Sequence, residues 1–174
     1  DRSPAAPIRL IGLPGSGKST VGPLLGAALE CSAFDTDGLL ESHSGWSPSR
    51  WISELGWSTF RSAESVVLSS IHRQYSQIPM ILSCGGGIAE LEENRTLLES
   101  WKCIWLDASD DVLIARTRGT DRPVLEGLSP EDLMIQLREQ RVGKYRALAG
   151  TPIDTSLRSP EDVVLEIIDR MESE

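Results

Sequence analysis

At 174 residues, 40% hydrophobic and 25% charged, the chain has the composition of one soluble domain with a sizeable core. No apolar run approaches the roughly 20 residues that a membrane span needs, and a formal net charge of −9 argues against a chain that lives by gripping nucleic acid. Its positive charge is mostly arginine, which suits planar, two-point recognition of carboxylate or phosphate.

In chain order, "IRLIGL" (Ile8 to Leu13) reads as a buried strand that feeds a turn, and a helical stretch follows to about Glu30. Pro23 falls inside that stretch, where a lost backbone hydrogen bond costs roughly 3 kcal/mol if uncompensated and favours a kink. "CSAFDT", "MILSC", "CIWLDA" and "PIDT" read as four further strands. Helical patterns lie between and after them: Gly56 to Arg73, Glu90 to Ser100, Asp110 to Thr117, Ser129 to Leu148 and Pro160 to Met171. The last two open on Ser-Pro-Glu-Asp, which supplies an N-cap, a first-turn proline and acids at the positive end of the helix dipole. Strands alternating with helices imply an α/β fold with a parallel sheet covered on both faces. Cys31, Cys84 and Cys103 have no CxxC spacing. Cys31 and Cys103 sit in strand-like runs, so the cysteines are expected as buried small hydrophobes in a reducing compartment. His43 and His72 lack ligand spacing for zinc.

The strongest motif is "GLPGSGKST", Gly12 to Thr20, which fits G-x-x-x-x-G-K-[ST] between a strand and a helix. Such a loop wraps its backbone N–H groups around phosphate, with Lys18 on the terminal phosphates and the Ser19 hydroxyl available to Mg²⁺. "FDTD" places Asp35 and Asp37 at the end of the second strand, where residues two apart share a face that looks into the ligand crevice. One carboxylate would orient metal-bound water and the other would take a hydroxyl proton. The pair reads equally well as turn-forming aspartates that cap the next helix. "RTRGTDRPVLEGLSPED", Arg116 to Asp132, has the polar, glycine- and proline-bearing character of a closing lid, with three arginines in seven positions.

Taken together, "GLPGSGKST", "FDTD", Phe60-Arg61 with Glu64 one turn on, "CGGG", Arg122-Pro123, and Arg141 with Tyr145 four residues later resemble, in order and spacing, the shikimate kinases. The resemblance runs from Ile8 to about Ile168. It implies a three-layer P-loop fold like that of nucleoside monophosphate kinases, with a five-stranded parallel sheet flanked by helices. It further implies an acceptor-binding segment at about 38–65, a lid at about 116–130, and transfer of the γ-phosphoryl of ATP to the 3-hydroxyl of shikimate.

The resemblance also implies the roles. Gly15, Ser16, Gly17, Lys18, Ser19 and Thr20 would hold the phosphates, with Ser19 on Mg²⁺ and Asp35 holding the metal through water. Asp37 would bind shikimate hydroxyls and act as the base. Arg61, Arg141 and the backbone of Gly85, Gly86 and Gly87 would surround shikimate, the arginines at its carboxylate. Arg122, on the lid, would reach the transferring phosphate, and Arg116 or Arg118 with Pro160 would flank adenine. A second glycine run beside the crevice is thus expected to serve the acceptor: without a Cβ, its backbone can approach a small polyol and donate N–H bonds.

The chain departs from the family pattern at Gly56-Trp57, where many members have Gly-Glu, and at Gly143, where many have proline. Trp46, Trp51 and Trp57 are expected as core residues of the acceptor segment. The cofactors expected are ATP and Mg²⁺, and the partner a small molecule, with no nucleic acid, no membrane and a monomeric state. The expected compartment is the cytoplasm, or a plastid if a transit peptide preceded Asp1. Two alternatives stay open: a gluconate-type small-molecule kinase, and a non-catalytic kinase-like regulatory module.

Overall fold

The structure is a computed structural model and describes residues 4, 6–119 and 127–174. Its strands are β1 (Ile8–Ile11), β2 (Ser32–Asp35), β3 (Met80–Ser83), β4 (Lys102–Asp107) and β5 (Ile153–Asp154). Its α-helices are α1 (Lys18–Ala28), α2 (Thr36–Ser44), α3 (Pro48–Tyr75), α4 (Glu92–Glu99), α5 (Asp110–Thr117), α6 (Pro130–Ala149) and α7 (Pro160–Glu172). The strands form one sheet in the order β2-β3-β1-β4-β5, and every pairing is parallel. All five carboxyl ends therefore meet at one edge. The chain passes from β3 to β4 across β1, which makes that edge beside β1 the place where a crevice opens.

β1 explains the layering. Ile8 and Leu10 face a cluster with Val21, Leu25, Val163 and Ile167 of α1 and α7. Ile11 faces the other layer, with Leu68 of α3, Leu98 of α4, Leu113 of α5 and Tyr145 of α6. Arg9 points to that second layer and is fully buried. Its guanidinium carbon lies 3.2 Å from the centroid of the Trp101 ring, and it donates to the Leu97 carbonyl at 3.0 Å.

Several boundaries differ from the sequence expectation. Cys31 precedes β2 and is half-buried, outside the strand, whereas Cys84 and Cys103 are buried. α2 and the first half of α3, to which the sequence reading assigned no helix, are helical. Asp35 caps α2 by accepting from Gly38 N at 3.1 Å, and Ser47 caps α3 by accepting from Arg50 N at 3.2 Å. The expected start at Gly56 is instead a break within α3, where the backbone leaves helical values (φ 85°, ψ 166°). The expected Glu90 to Ser100 helix is a 3₁₀ turn, Ile88–Glu90, followed by α4. α1 accommodates Pro23 and stays helical to Ala28.

Candidate active site

The first half of the site is the loop between β1 and α1. Gly17 stands at the α1 N-cap with φ 105°, a left-handed conformation that turns the backbone into the helix. The first turn of α1 carries no acid, so its positive dipole end is not offset. Lys18 Nζ donates to the carbonyls of Gly12 and Leu13 at 2.6 and 3.0 Å and to Ser16 Oγ at 3.3 Å, which holds the ammonium over the loop. Thr155, at the end of β5, was not singled out in the sequence. Its hydroxyl donates to Ser16 O at 2.8 Å and ties the loop to the far edge of the sheet. The signal was its place after a strand.

Arg116 donates to Gly15 O at 3.1 Å, Thr155 Oγ1 at 3.0 Å and Thr155 O at 2.7 Å. It is a brace between loop and sheet; Arg118, the other adenine candidate, is exposed at the end of α5. Pro160 opens α7. Arg122 lies outside the described residues, as does the middle of the expected lid, residues 120–126.

Asp35 and Asp37 do not share a strand face. Asp35 ends β2, and Asp37 lies in the first turn of α2. The helix start sends them to different neighbours. Asp35 Oδ1 caps α2, while Oδ2 accepts from Ser19 Oγ at 3.1 Å. That pair offers one hydroxyl and one carboxylate, both hard oxygen donors. Among the described residues no group of three or more His, Cys, Asp or Glu could hold a metal alone. The donor set suits Mg²⁺, which takes one or two protein oxygens and completes its shell with phosphate and water.

Asp37 faces the second half of the site. A cavity of about 660 Å³ is lined by Asp37, Arg61, Glu64, Gly85, Gly86, Gly87, Glu90 and Arg141, with Pro14 of the phosphate loop on its rim. The structure thus brings all the acceptor candidates together. Trp57 and Phe60 line it too. Trp57 is 39% exposed and Trp46 and Trp51 are half-buried, so none of the three is a core residue.

The glycine triplet is the floor under the charged groups. A Cβ on Gly85 would meet Glu64 Oε2 at 2.8 Å, and one on Gly86 would meet Arg141 Nη1 at 2.9 Å. One on Gly87 would overlap the Arg61 guanidinium. Three glycines are needed because three side chains cross them. The Gly85 N–H is already given to Thr36 Oγ1 at 2.9 Å, and Gly86 O accepts from Tyr145 OH. The triplet therefore works first by making room for side chains.

Arg61 Nη1 donates to Glu64 Oε1 at 2.6 Å. Burial pushes the Glu64 carboxyl above its usual range, against the opposing pull of Arg61. Burial also raises the Tyr145 hydroxyl well above its ordinary value and pushes the Cys84 thiol up to about 12, so neither supplies an anion at neutral pH. Glu90, not singled out in the sequence, bonds Arg141.

The shikimate kinase family model matches residues 14–172. A shikimate kinase of Prochlorococcus marinus is 35% identical over 167 residues, spanning 94% of this chain and 86% of that protein. One from Dehalococcoides mccartyi is 37% identical over 166 residues, spanning 94% and 92%. Among solved structures, the shikimate kinase from Acinetobacter baumannii in complex with shikimate superposes with a TM-score of 0.91 at 28% identity, covering 98% of this chain and 95% of that one.

Proposed function

The chain belongs to the shikimate kinase family, and from that premise we propose that it moves the γ-phosphoryl of ATP to the 3-hydroxyl of shikimate, giving ADP and shikimate 3-phosphate. One observation carries the reading beyond membership. Asp37, Arg61 and Arg141 line a single cavity whose rim includes Pro14 of the loop that holds Lys18.

Phosphoryl transfer asks mainly for positioning and for charge opposite the equatorial oxygens. The loop N–H groups and the α1 N-terminus receive the phosphates, and the Lys18 ammonium faces the β- and γ-phosphates. Arg61 and Arg141 orient the acceptor by its carboxylate. That sets a ring hydroxyl against Asp37, whose carboxylate takes the proton as the oxygen bonds to phosphorus. Ser19 and, through water, Asp35 would hold Mg²⁺, which would supply positive charge against the phosphates. Residues 116–130 serve as the lid, Arg122 reaching the phosphate and the closed site excluding water, and residues 38–65 serve the acceptor. Arg116 or Arg118, with Pro160, flanks the base. The enzyme acts as a cytoplasmic monomer. No described helix is long and apolar enough to cross a membrane.

The test is ADP release, enzymatically coupled, with ATP and Mg²⁺ and either shikimate, gluconate or no acceptor. The reading expects saturable release with shikimate and background with the other two. Release that is equal for gluconate, or independent of acceptor, would overturn it.

A further inference from the structure

Glu90 ends the 3₁₀ turn that follows the glycine triplet. Its carboxylate is divided between the two arginines of the cavity: Oε1 lies 3.0 Å from Arg141 Nε, and Oε2 lies 3.5 Å from Arg61 Nη2. The turn beneath it is fixed by Arg95, which donates to the carbonyls of Ala89 and Glu90 at 2.7 and 2.8 Å. One oxygen per guanidinium is also how a small carboxylate ligand would lie between the same two side chains. The described charged residues of the cavity are then Asp37, Glu64 and Glu90 against Arg61 and Arg141. An incoming anion meets more negative than positive charge.

We propose that Glu90 is an internal stand-in for the acceptor's carboxylate and sets acceptor affinity, because it must yield the two arginines before the acceptor can bridge them. The inference rests on the reading of this cavity as the shikimate site. The alternative role, simple support, is filled for Arg61 by another carboxylate, and Arg141 is fixed by burial as well as by Glu90. Arg61 is held by the buried Glu64 at 2.6 Å. Arg141 is only 6% exposed and packs over Gly86. The Glu90 side chain is 27% exposed against 2% for Glu64, so Glu90 is the partner that can turn out to solvent. Removing its charge takes away a competitor and a like-charge repulsion, and costs little organisation.

Glu90→Gln preserves shape and deletes the charge. The expected result is a KM for shikimate lowered by about two- to fivefold, the worth of one partly exposed ion pair. The change falls in KM and not in kcat, and KM for ATP does not follow it. The preference for shikimate over its neutral carboxamide should widen by a similar factor, because the amide never competed for the ionic pair. Glu90→Ala guards against a packing effect peculiar to glutamine and should move KM the same way. Shikimate titrated against tryptophan emission, without nucleotide, reads the same shift as a Kd. A KM that is unchanged or raised in both variants, with native turnover of shikimate intact, overturns this inference alone. A native protein that neither binds nor phosphorylates shikimate overturns the functional reading, and this inference with it.

Discussion

Asp35 and Asp37 show how much one backbone turn decides. Asp35 spends one oxygen on capping α2 and presents the other to Ser19, while Asp37, in the first turn of that helix, lines the cavity. Asparagine caps a helix about as well as aspartate. Asp35→Asn should therefore leave stability nearly intact and raise the Mg²⁺ concentration needed for half-maximal rate. Asp37→Asn should bind ATP normally and lose about a hundredfold or more in kcat with shikimate, the usual worth of a general base. Mg²⁺ titrations of both variants test the division of roles. Identical metal dependence would remove it. The sequence made these two residues candidates because both are acids after a strand. It could not separate them, because the separation arises where strand becomes helix, and an Asp-x-Asp spacing is compatible with either conformation.

At the scale of elements, the triplet Gly85–Gly87 and the helices that cross it form one unit. Each glycine lies under a charged side chain from α3 or α6. Gly87→Ala forces Arg61 off its place against Glu64. It should raise KM for shikimate by about tenfold or more, since a hydrogen bond to a charged group is worth roughly 1.5–3 kcal/mol, with ATP affinity nearly unchanged. Gly143→Ala is the contrasting substitution. Gly143 is exposed inside α6, and an added Cβ meets nothing within 4 Å, so helix propensity alone predicts a gain of about 1 kcal/mol. Acceptor kinetics of the first variant and thermal unfolding of the second check the pair. A Gly87→Ala enzyme with native KM would show that the floor is not tight.

The elements themselves were unevenly legible. The β1 strand, the phosphate loop and the helices opening at Ser129 and Ser159 carry strong local signals, and they stand where the sequence put them. The helix beginning at Pro48 has the same Ser-Pro start, with Ser47 as its cap. It went unread because Gly, Ser and Trp interrupt the apolar period around it. Glu90 and Thr155 were missed for another reason: their partners lie 51 and 139 residues away, and a place after a strand or a glycine run does not record such contacts.

At the scale of the whole molecule, an all-parallel sheet collects the phosphate loop, Asp35, Gly85 and Thr155 at one edge and leaves β1 in the middle of the core. Arg9 in that strand is a costly choice. Burial lowers its guanidinium to about 10, against weaker opposing effects of Cys84 and Cys103. At about 1.4 kcal/mol per pH unit that is a cost of about 3 kcal/mol, and stacking on Trp101 returns up to about 2 kcal/mol. Arg9→Met should therefore be as stable as the native protein or more stable by about 1 kcal/mol. Arg9→Lys, which loses the flat stacking face, should be less stable by about 2 kcal/mol. Urea unfolding decides. A loss above about 2 kcal/mol in Arg9→Met would mean that the stacked pair is a net stabilising feature of the core.

The central claim joins the two halves of the site: phosphate delivered over Lys18 to a hydroxyl of an acid gripped by Arg61 and Arg141. Phosphorus and proton NMR of a reaction containing the protein, ATP, Mg²⁺ and shikimate tests it most directly. The account predicts that a single new phosphomonoester grows in step with ADP, coupled to the proton on C3 of shikimate, and that Lys18→Met produces none. ADP accumulating with inorganic phosphate and no ester, or a phosphate on another hydroxyl, would contradict it.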